Sequence, residues 1–349
     1  MKTPRSNSES TDVVALASTV KALLAPGKGI LAIDESFPTI AKRFEPLKIP
    51  ATEEARRDYR QLLLTTPGLG EFISGVILFD ETIRQQTSDG IPLTEILREQ
   101  GIVPGIKVDL GTADLPNLPG EKFTKGLDQL RERLAEYRTL GARFTKWRAV
   151  LSIDEGTPTR ACIETNTTLL AMFAALSQEA GLVPIVEPEV LMDGVHDINR
   201  AEEVTSIVLR SLFDALADHR VTIEHTLLKT GMVLSGSDCP QQAGLAEIAE
   251  ATLRCLRRHV PAALPGIVFL SGGQSDEEAT ERLNAIAKAS EGPWTLSFSY
   301  GRALQAPSLK AWKGSPANIA AAQTLLHHRA RCNGLAVLGK YDSSMESAG

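Results

Sequence analysis

Eight short apolar runs recur along the chain, separated by stretches with helical spacing, and this alternation restricts the fold more than any other feature. The runs are Gly29–Asp34, Ser74–Asp80, Val103–Asp109, Arg143–Leu151, Val183–Val190, Glu224–Val233, Ile267–Gly272 and Trp294–Tyr300. Each is rich in Val, Ile, Leu or Phe and continuous rather than alternating, the pattern of a strand covered on both faces. Between them, Glu53–Leu64 and Glu202–Ala217 carry apolar residues at helical spacing. Thr157 ahead of Pro158 predicts a cap for a helix over Thr159–Ala180, closed by Gly181. Ser275-Asp-Glu-Glu278 reads as a capping box opening a helix through Ala289, and Ser315-Pro316 opens another to about Arg331. Leu110–Lys122, with Pro116, Pro119 and Gly120, is expected to be a long loop. Eight such repeats predict an α/β fold, a single (β/α)8 TIM barrel of parallel strands with its chemistry at the C-terminal strand ends. A doubly wound open sheet shows the same alternation, but no GxGxxG turn follows the first run.

A length of 349 residues suits one barrel with extensions or a little over two domains. The expectation is one domain over 1–349, with 1–14 and 342–349 as flexible termini. The net charge of −6 excludes a generally basic chain wrapped around nucleic acid, but not a local cationic pocket for an anionic ligand. Cys162, Cys239, Cys255 and Cys332 are scattered without a CxxC pair, which argues against a disulfide framework or a zinc knuckle. No apolar run approaches the roughly 20 residues of a membrane span. The first residues also lack the apolar stretch of a signal peptide. A cytoplasmic location follows as the expectation.

Charged residues nevertheless sit inside or just after the apolar runs: Asp34, Lys107, Lys146, Arg148, Glu187, Glu189, Lys229 and Arg302. A lone buried charge costs about several kcal/mol, so core strands normally exclude it. In a barrel these residues converge on one mouth. Lys229 follows the most apolar approach to any lysine in the chain. Cationic neighbours and apolar walls around a lysine favour the neutral amine, which can attack a ketone to form a Schiff base. The opposite reading, a lysine paired to Glu187 and inert, has equal support from the pattern. Ser271-Gly272-Gly273 after the seventh run and Ser299-Tyr-Gly-Arg302 after the eighth have the make-up of phosphate sites. Lys42 and Arg43 add a second basic pair beyond the first run.

The strings GKGILAIDES, RRDYRQLLLT, GVILFDET, GIKVD, FTKWRAVL, VPIVEPE, TLLK, FLSGGQS and FSYGRALQ together resemble class I fructose-bisphosphate aldolase of the animal and plant type, in that family's order, from about Lys28 to Tyr341. The resemblance implies a (β/α)8 barrel that cleaves fructose 1,6-bisphosphate reversibly into dihydroxyacetone phosphate and glyceraldehyde 3-phosphate without a metal or other cofactor, usually as a homotetramer. It implies Lys229 as the Schiff-base lysine and Glu187 as the main proton acceptor and donor. Asp34 would handle the proton of the C4 hydroxyl, although the residues leave the choice between Asp34 and Glu187 open. Lys146, Arg148 and Lys107 would be substrate-site cations, and Glu189 a supporting carboxylate. Ser271, Gly272, Gly273, Ser299, Gly301 and Arg302 would hold the C1 phosphate, and Ser36, Thr39 and Arg43 the other phosphate.

Three departures from the family pattern stand out. Phe37-Pro38 is expected to stiffen the loop after Ser36, and Thr230-Gly231 to loosen the turn after Lys229. The chain ends at SSMESAG rather than in a longer tail with a terminal tyrosine, which leaves the proton carrier for the enamine open. A zinc-dependent aldolase is the rival chemistry. It needs several histidines at the strand ends, and of the six only His225 comes near one.

Overall fold

The continuous strands divide by face once the chain closes. The structure, a computed structural model, describes residues 7–348. Helices are α1 (Asn7–Leu23), α2 (Phe37–Phe44), α3 (Glu53–Leu64), α4 (Asp80–Arg84), α5 (Leu93–Glu99), α6 (Leu130–Thr139), α7 (Arg160–Glu179), α8 (Ile198–Asp218), α9 (Leu245–His259), α10 (Asp276–Ala289), α11 (Arg302–Trp312) and α12 (Ile319–Val337). Strands are β1 (Gly29–Ala32), β2 (Ile73–Leu78), β3 (Val103–Lys107), β4 (Thr112–Asp114), β5 (Lys122–Thr124), β6 (Phe144–Leu151), β7 (Val183–Val190), β8 (Leu227–Thr230), β9 (Gly266–Phe269) and β10 (Thr295–Tyr300). All but β4 and β5 form a closed parallel barrel in which β10 pairs back with β1. The expected (β/α)8 barrel is therefore the observed fold.

Side chains alternate across a strand, so each buried run serves two cores. Ile30, Ile77, Phe144, Ile185, Leu227 and Val268 pack inside the barrel, where Leu16, Val20 and Leu23 of α1 join them. Helix α1 thus plugs the N-terminal end, and Ser74 Oγ ties it down by donating to the Leu23 carbonyl at 2.7 Å. The intervening residues, such as Leu31, Val76, Ile106, Val186 and Ile267, pack outward under the helices. On β6 the outward Thr145 donates to Ser177 Oγ at 2.9 Å, and Trp147 stacks on Phe173 of α7.

Several boundaries differ from the sequence expectation. Helix α7 is capped by Thr159, not Thr157, because the Thr159 hydroxyl accepts from the Cys162 N–H, three residues ahead. Leu110–Lys122 is not a featureless loop. Its prolines and Gly120 make the turn of an antiparallel hairpin between β4 and β5. The stretch Glu224–Val233 yields only four strand residues, since Ile223–His225 closes into a 3-10 turn first. Ser36 begins helix α2 rather than a loop, and Pro38 sits in its first turn, where a missing N–H costs nothing. Thr230 pairs with Phe269 as the last residue of β8, and Gly231 follows directly after the strand end. Pro316 starts a 3-10 turn, and α12 behind it extends to Val337. Of the termini expected to be flexible, residues 1–6 and 349 lie outside those described. Asn7 begins α1, and Ser343–Ala348 forms a 3-10 helix because Glu346 is bonded to Arg329 and Tyr341.

The barrel interior is filled to the point that β3 needs a glycine. A Cβ on Gly105 would lie 2.3–2.4 Å from the Phe144 ring. Gly105→Ala is expected to destabilise the protein by about 1–3 kcal/mol through overpacking. Urea denaturation checks this. An unchanged midpoint would mean that Phe144 has room to move.

Candidate active site

Two residues along each strand from the apolar floor, the inward positions turn charged. On β6, Phe144 is followed by Lys146 and Arg148. On β7, Ile185 is followed by Glu187 and Glu189, and on β8 Leu227 by Lys229. The same step takes β3 from Gly105 to Lys107 and β1 from Ala32 to Asp34. These residues line one cavity of about 640 Å³ at the C-terminal end of the barrel. Ser36, Thr39, Arg43, Ser271, Gly272, Ser299, Gly301 and Arg302 complete its wall. Gly273 does not line it and lies instead against Met192, whose Sδ would be 2.9 Å from a Cβ there.

A chain of ion pairs runs across the floor of the cavity. Lys146 Nζ is 2.6 Å from Asp34 Oδ2 and 3.1 Å from Glu187 Oε2, and Lys229 Nζ is 3.1 Å from Glu187 Oε1. Lys146, Glu187 and Lys229 are all buried, at 3–4% exposure. The pairing of Lys229 with Glu187, one of the two readings left open by the sequence, is thus present. Burial pushes both carboxyls up, but for Asp34 the charge of Lys146, then Lys229, more than reverses this. Glu187 is likewise held below the usual carboxylate range by Lys146, Lys229 and Arg148. Burial disfavours the Lys146 ammonium, yet Asp34 and Glu187 raise it well above its ordinary value.

Three cations nearer the mouth also have a carboxylate partner. Lys107 Nζ is 2.6 Å from Asp109 Oδ1, Arg148 pairs with Glu189, and Arg43 pairs with Glu35. Glu35 is buried and also takes Arg60 Nη1 at 2.6 Å and Gln305 Nε2 at 2.7 Å. The sequence reading assigned no role to Glu35, Asp109, Arg60 or Gln305. Glu35 and Asp109 stood next to or two residues from assigned positions. Arg60 and Gln305 carried no local signal, because they come from α3 and α11, far along the chain. The β4–β5 hairpin supplies another missed wall, through Gly111 and Thr112.

One end of the cavity is shaped for an anion. Gly272 has a φ of 53°, a left-handed conformation that suits glycine, and its carbonyl accepts from Arg302 Nη2 at 2.9 Å. Gly301 caps α11, whose first N–H groups are unspent at this end. Ser299 Oγ is buried without a hydrogen-bond partner among the described residues. Ser36 and Thr39, 3.1 Å apart through their hydroxyls, stand with Arg43 on α2. His225, the histidine nearest a strand end, lies in the 3-10 turn that precedes β8 and so at the opposite end of the barrel.

Comparison with known proteins agrees with this fold. A family model described as fructose-bisphosphate aldolase class-I matches residues 15–349. The chain is 58% identical over 327 residues to the probable fructose-bisphosphate aldolase class 1 of Xanthomonas campestris pv. campestris, covering 93% of this chain and 98% of that one. It is 55% identical to fructose-bisphosphate aldolase 1 of Toxoplasma gondii over 328 residues, 93% of this chain and 90% of that protein. Among solved structures, fructose-bisphosphate aldolase from Plasmodium falciparum, in complex with TRAP and a small-molecule inhibitor, superposes with a TM-score of 0.94 at 48% identity, covering 95% of this chain and 96% of that one.

The lowered carboxylates set a pH dependence. A group whose native value lies below its unfolded value of about 4 stabilises the fold above that value and loses the contribution as pH falls. Stability in urea is therefore expected to decline from about pH 4 downward as Asp34, Glu35 and Glu187 protonate. In Lys146→Met the largest offset to burial is lost at Asp34 and Glu187, and the decline should begin at higher pH. Identical acid profiles for the two proteins would contradict the pairing.

Proposed function

This chain belongs to the class I fructose-bisphosphate aldolase family, and on that premise we propose which of its residues carry each step of the reaction. The protein is a lyase that reversibly cleaves D-fructose 1,6-bisphosphate into dihydroxyacetone phosphate and D-glyceraldehyde 3-phosphate through a lysine Schiff base, in glycolysis and gluconeogenesis. The observation that carries the assignment is Glu187, which bridges Lys229 and Lys146 at 3.1 Å each inside the barrel.

Glu187 takes a proton from Lys229, and the neutral amine attacks the C2 ketone. Glu187 then returns its proton to the carbinolamine hydroxyl, which leaves as water and yields the iminium. Removal of the C4-hydroxyl proton breaks the C3–C4 bond, and the bonding electrons flow into the iminium to give the enamine and free glyceraldehyde 3-phosphate. We assign that proton to Asp34, because Lys146 separates it from Glu187 and both carboxylates are held ionised. Lys146 is the shared cation between them. Protonation of the enamine at C3 and addition of water release dihydroxyacetone phosphate and restore Lys229.

The phosphates occupy the two polar ends of the cavity. Ser271, Gly272, Ser299, Gly301 and Arg302 suit the C1 phosphate, with the Ser299 hydroxyl and the start of α11 as donors. Gly273 shapes this turn from behind. Ser36, Thr39 and Arg43 suit the other phosphate, with Lys107 and Arg148 on the wall between. Glu189 and Asp109 orient those two cations. Phe37 stands edge-on to Phe79 with the Arg56 guanidinium over its ring, which fixes this end of α2.

The whole chain is read as one domain, working as a homotetramer in the cytoplasm. Family resemblance supports this, and no helix among the described residues is long and apolar enough to cross a membrane. Sedimentation velocity tests the tetramer.

Borohydride added with fructose 1,6-bisphosphate should leave a reduced adduct on Lys229, mapped by mass spectrometry, and Lys229→Met should lose both adduct and turnover. Glu187→Gln should lower kcat by about 10²–10⁴-fold. Full turnover in Lys229→Met would overturn the assignment.

A further inference from the structure

Away from the cavity, three metal-ligating side chains meet where the C-terminal turn folds back on α12. His328 and Cys332 are four residues apart on α12 and so share one face, while Glu346 reaches them from the turn Ser343–Ala348. His328 Nε2 lies 3.6 Å from Cys332 Sγ and 3.5 Å from Glu346 Oε2, and the three donor atoms all fall within 4.8 Å of one another. A tetrahedral zinc ion, with bonds of about 2.3 Å to sulfur and about 2.0 Å to nitrogen or oxygen, spaces its ligands about 3.3–3.5 Å apart. Two of the three donor pairs are already near that spacing. A small cavity of about 60 Å³, lined by His328, Arg331, Cys332, Leu335 and Met345, adjoins them and has room for a water molecule.

We infer that His328, Cys332 and Glu346 form a binding site for a divalent cation of the zinc type, with water as the fourth ligand. This site is separate from the aldolase reaction and needs no part of it. On binding, the metal replaces the Cys332 thiol proton. The S–H bond breaks, a sulfur–metal bond forms, and one proton goes to solvent. Glu346 Oε2 already accepts from Arg329 Nη1, and Oε1 accepts from Tyr341 Oη at 2.8 Å. If Glu346 turns toward the metal, Arg329 keeps the Thr280 hydroxyl and the Asp276 carbonyl, with Asp276 Oδ2 3.9 Å from its Nε. Both of those bonds are made by Nη2, so Nη1 gives up Glu346 and Asp276 becomes the carboxylate beside the guanidinium. The thiolate and carboxylate neutralise the cation, which ties the C-terminal turn to α12.

The test uses the full chain without a histidine tag, freed of metal by a chelator, and titrated with Co²⁺. One equivalent should bind with the charge-transfer absorption of a cobalt–thiolate bond and the intense visible bands of four-coordinate cobalt, and Zn²⁺ should displace it. Cys332→Ser should abolish the charge-transfer band, whereas Cys239→Ser should leave it. His328→Ala and Glu346→Gln should each weaken binding by at least about tenfold. Absence of the charge-transfer band in the unsubstituted protein, a reading that depends on no variant folding, would overturn the site. So would a band that survives Cys332→Ser. Either result would leave Arg329 and Glu346 as a structural ion pair only.

Discussion

The row Asp34–Lys146–Glu187–Lys229 is the interaction on which the rest of the structure depends. Four charged groups are withdrawn from water at the centre of a barrel. Such burial is tolerable only when every charge finds its partner, because removing one partner of a buried pair costs about 3–5 kcal/mol. The partners come from β6, β7, β8 and a position two residues beyond β1, so the barrel must hold these strands in fixed register. The eight paired positions between β6 and β7 do this for Arg148 and Glu187. A slip of one residue would turn Lys146 and Glu187 outward beneath the helices.

The same strands that carry the charges also build what holds them. Phe144, Ile185 and Leu227 fill the barrel two residues below Lys146, Glu187 and Lys229, and α1 seals the floor beneath. Water is thereby kept from one side of the ion row, and a phosphorylated sugar can close the other. The outer layer of the barrel is equally specific. Thr145 and Trp147 flank Lys146 in sequence, yet they point to α7 and lock its backbone from outside. Chemistry and stability thus alternate residue by residue.

The barrel was legible because it is written locally. Continuous apolar runs, a capping box at Ser275–Glu278 and turn glycines need only near neighbours, and the structure has each of them. The charged residues within apolar runs were legible for a different reason: a lysine in a buried strand demands an explanation. Errors arose where a local signal competed with a tertiary one. Thr157-Pro158 looked like a cap, but Thr159 has the cap, and its N–H and hydroxyl are both held by Glu121 from the distant hairpin. The Leu110–Lys122 segment had the prolines of a loop, yet across it the Leu110 N–H donates to the Lys125 carbonyl and the Lys125 N–H to the Gly111 carbonyl.

By itself the sequence determined the class of fold, the number of barrel strands, and that lysines, carboxylates and the Ser/Gly/Arg segments after the strands would share one mouth, because periodicity and composition act over a few residues. Which carboxylate faces which lysine was decided only by tertiary structure. Glu187 bridging Lys146 and Lys229, Glu35 gathering Arg43, Arg60 and Gln305, and the packing of Gly273 against Met192 rather than into the cavity all depend on contacts between strands and helices far apart in the chain. Barrel closure brings those segments within hydrogen-bonding distance, and no local pattern encodes which side chains then meet.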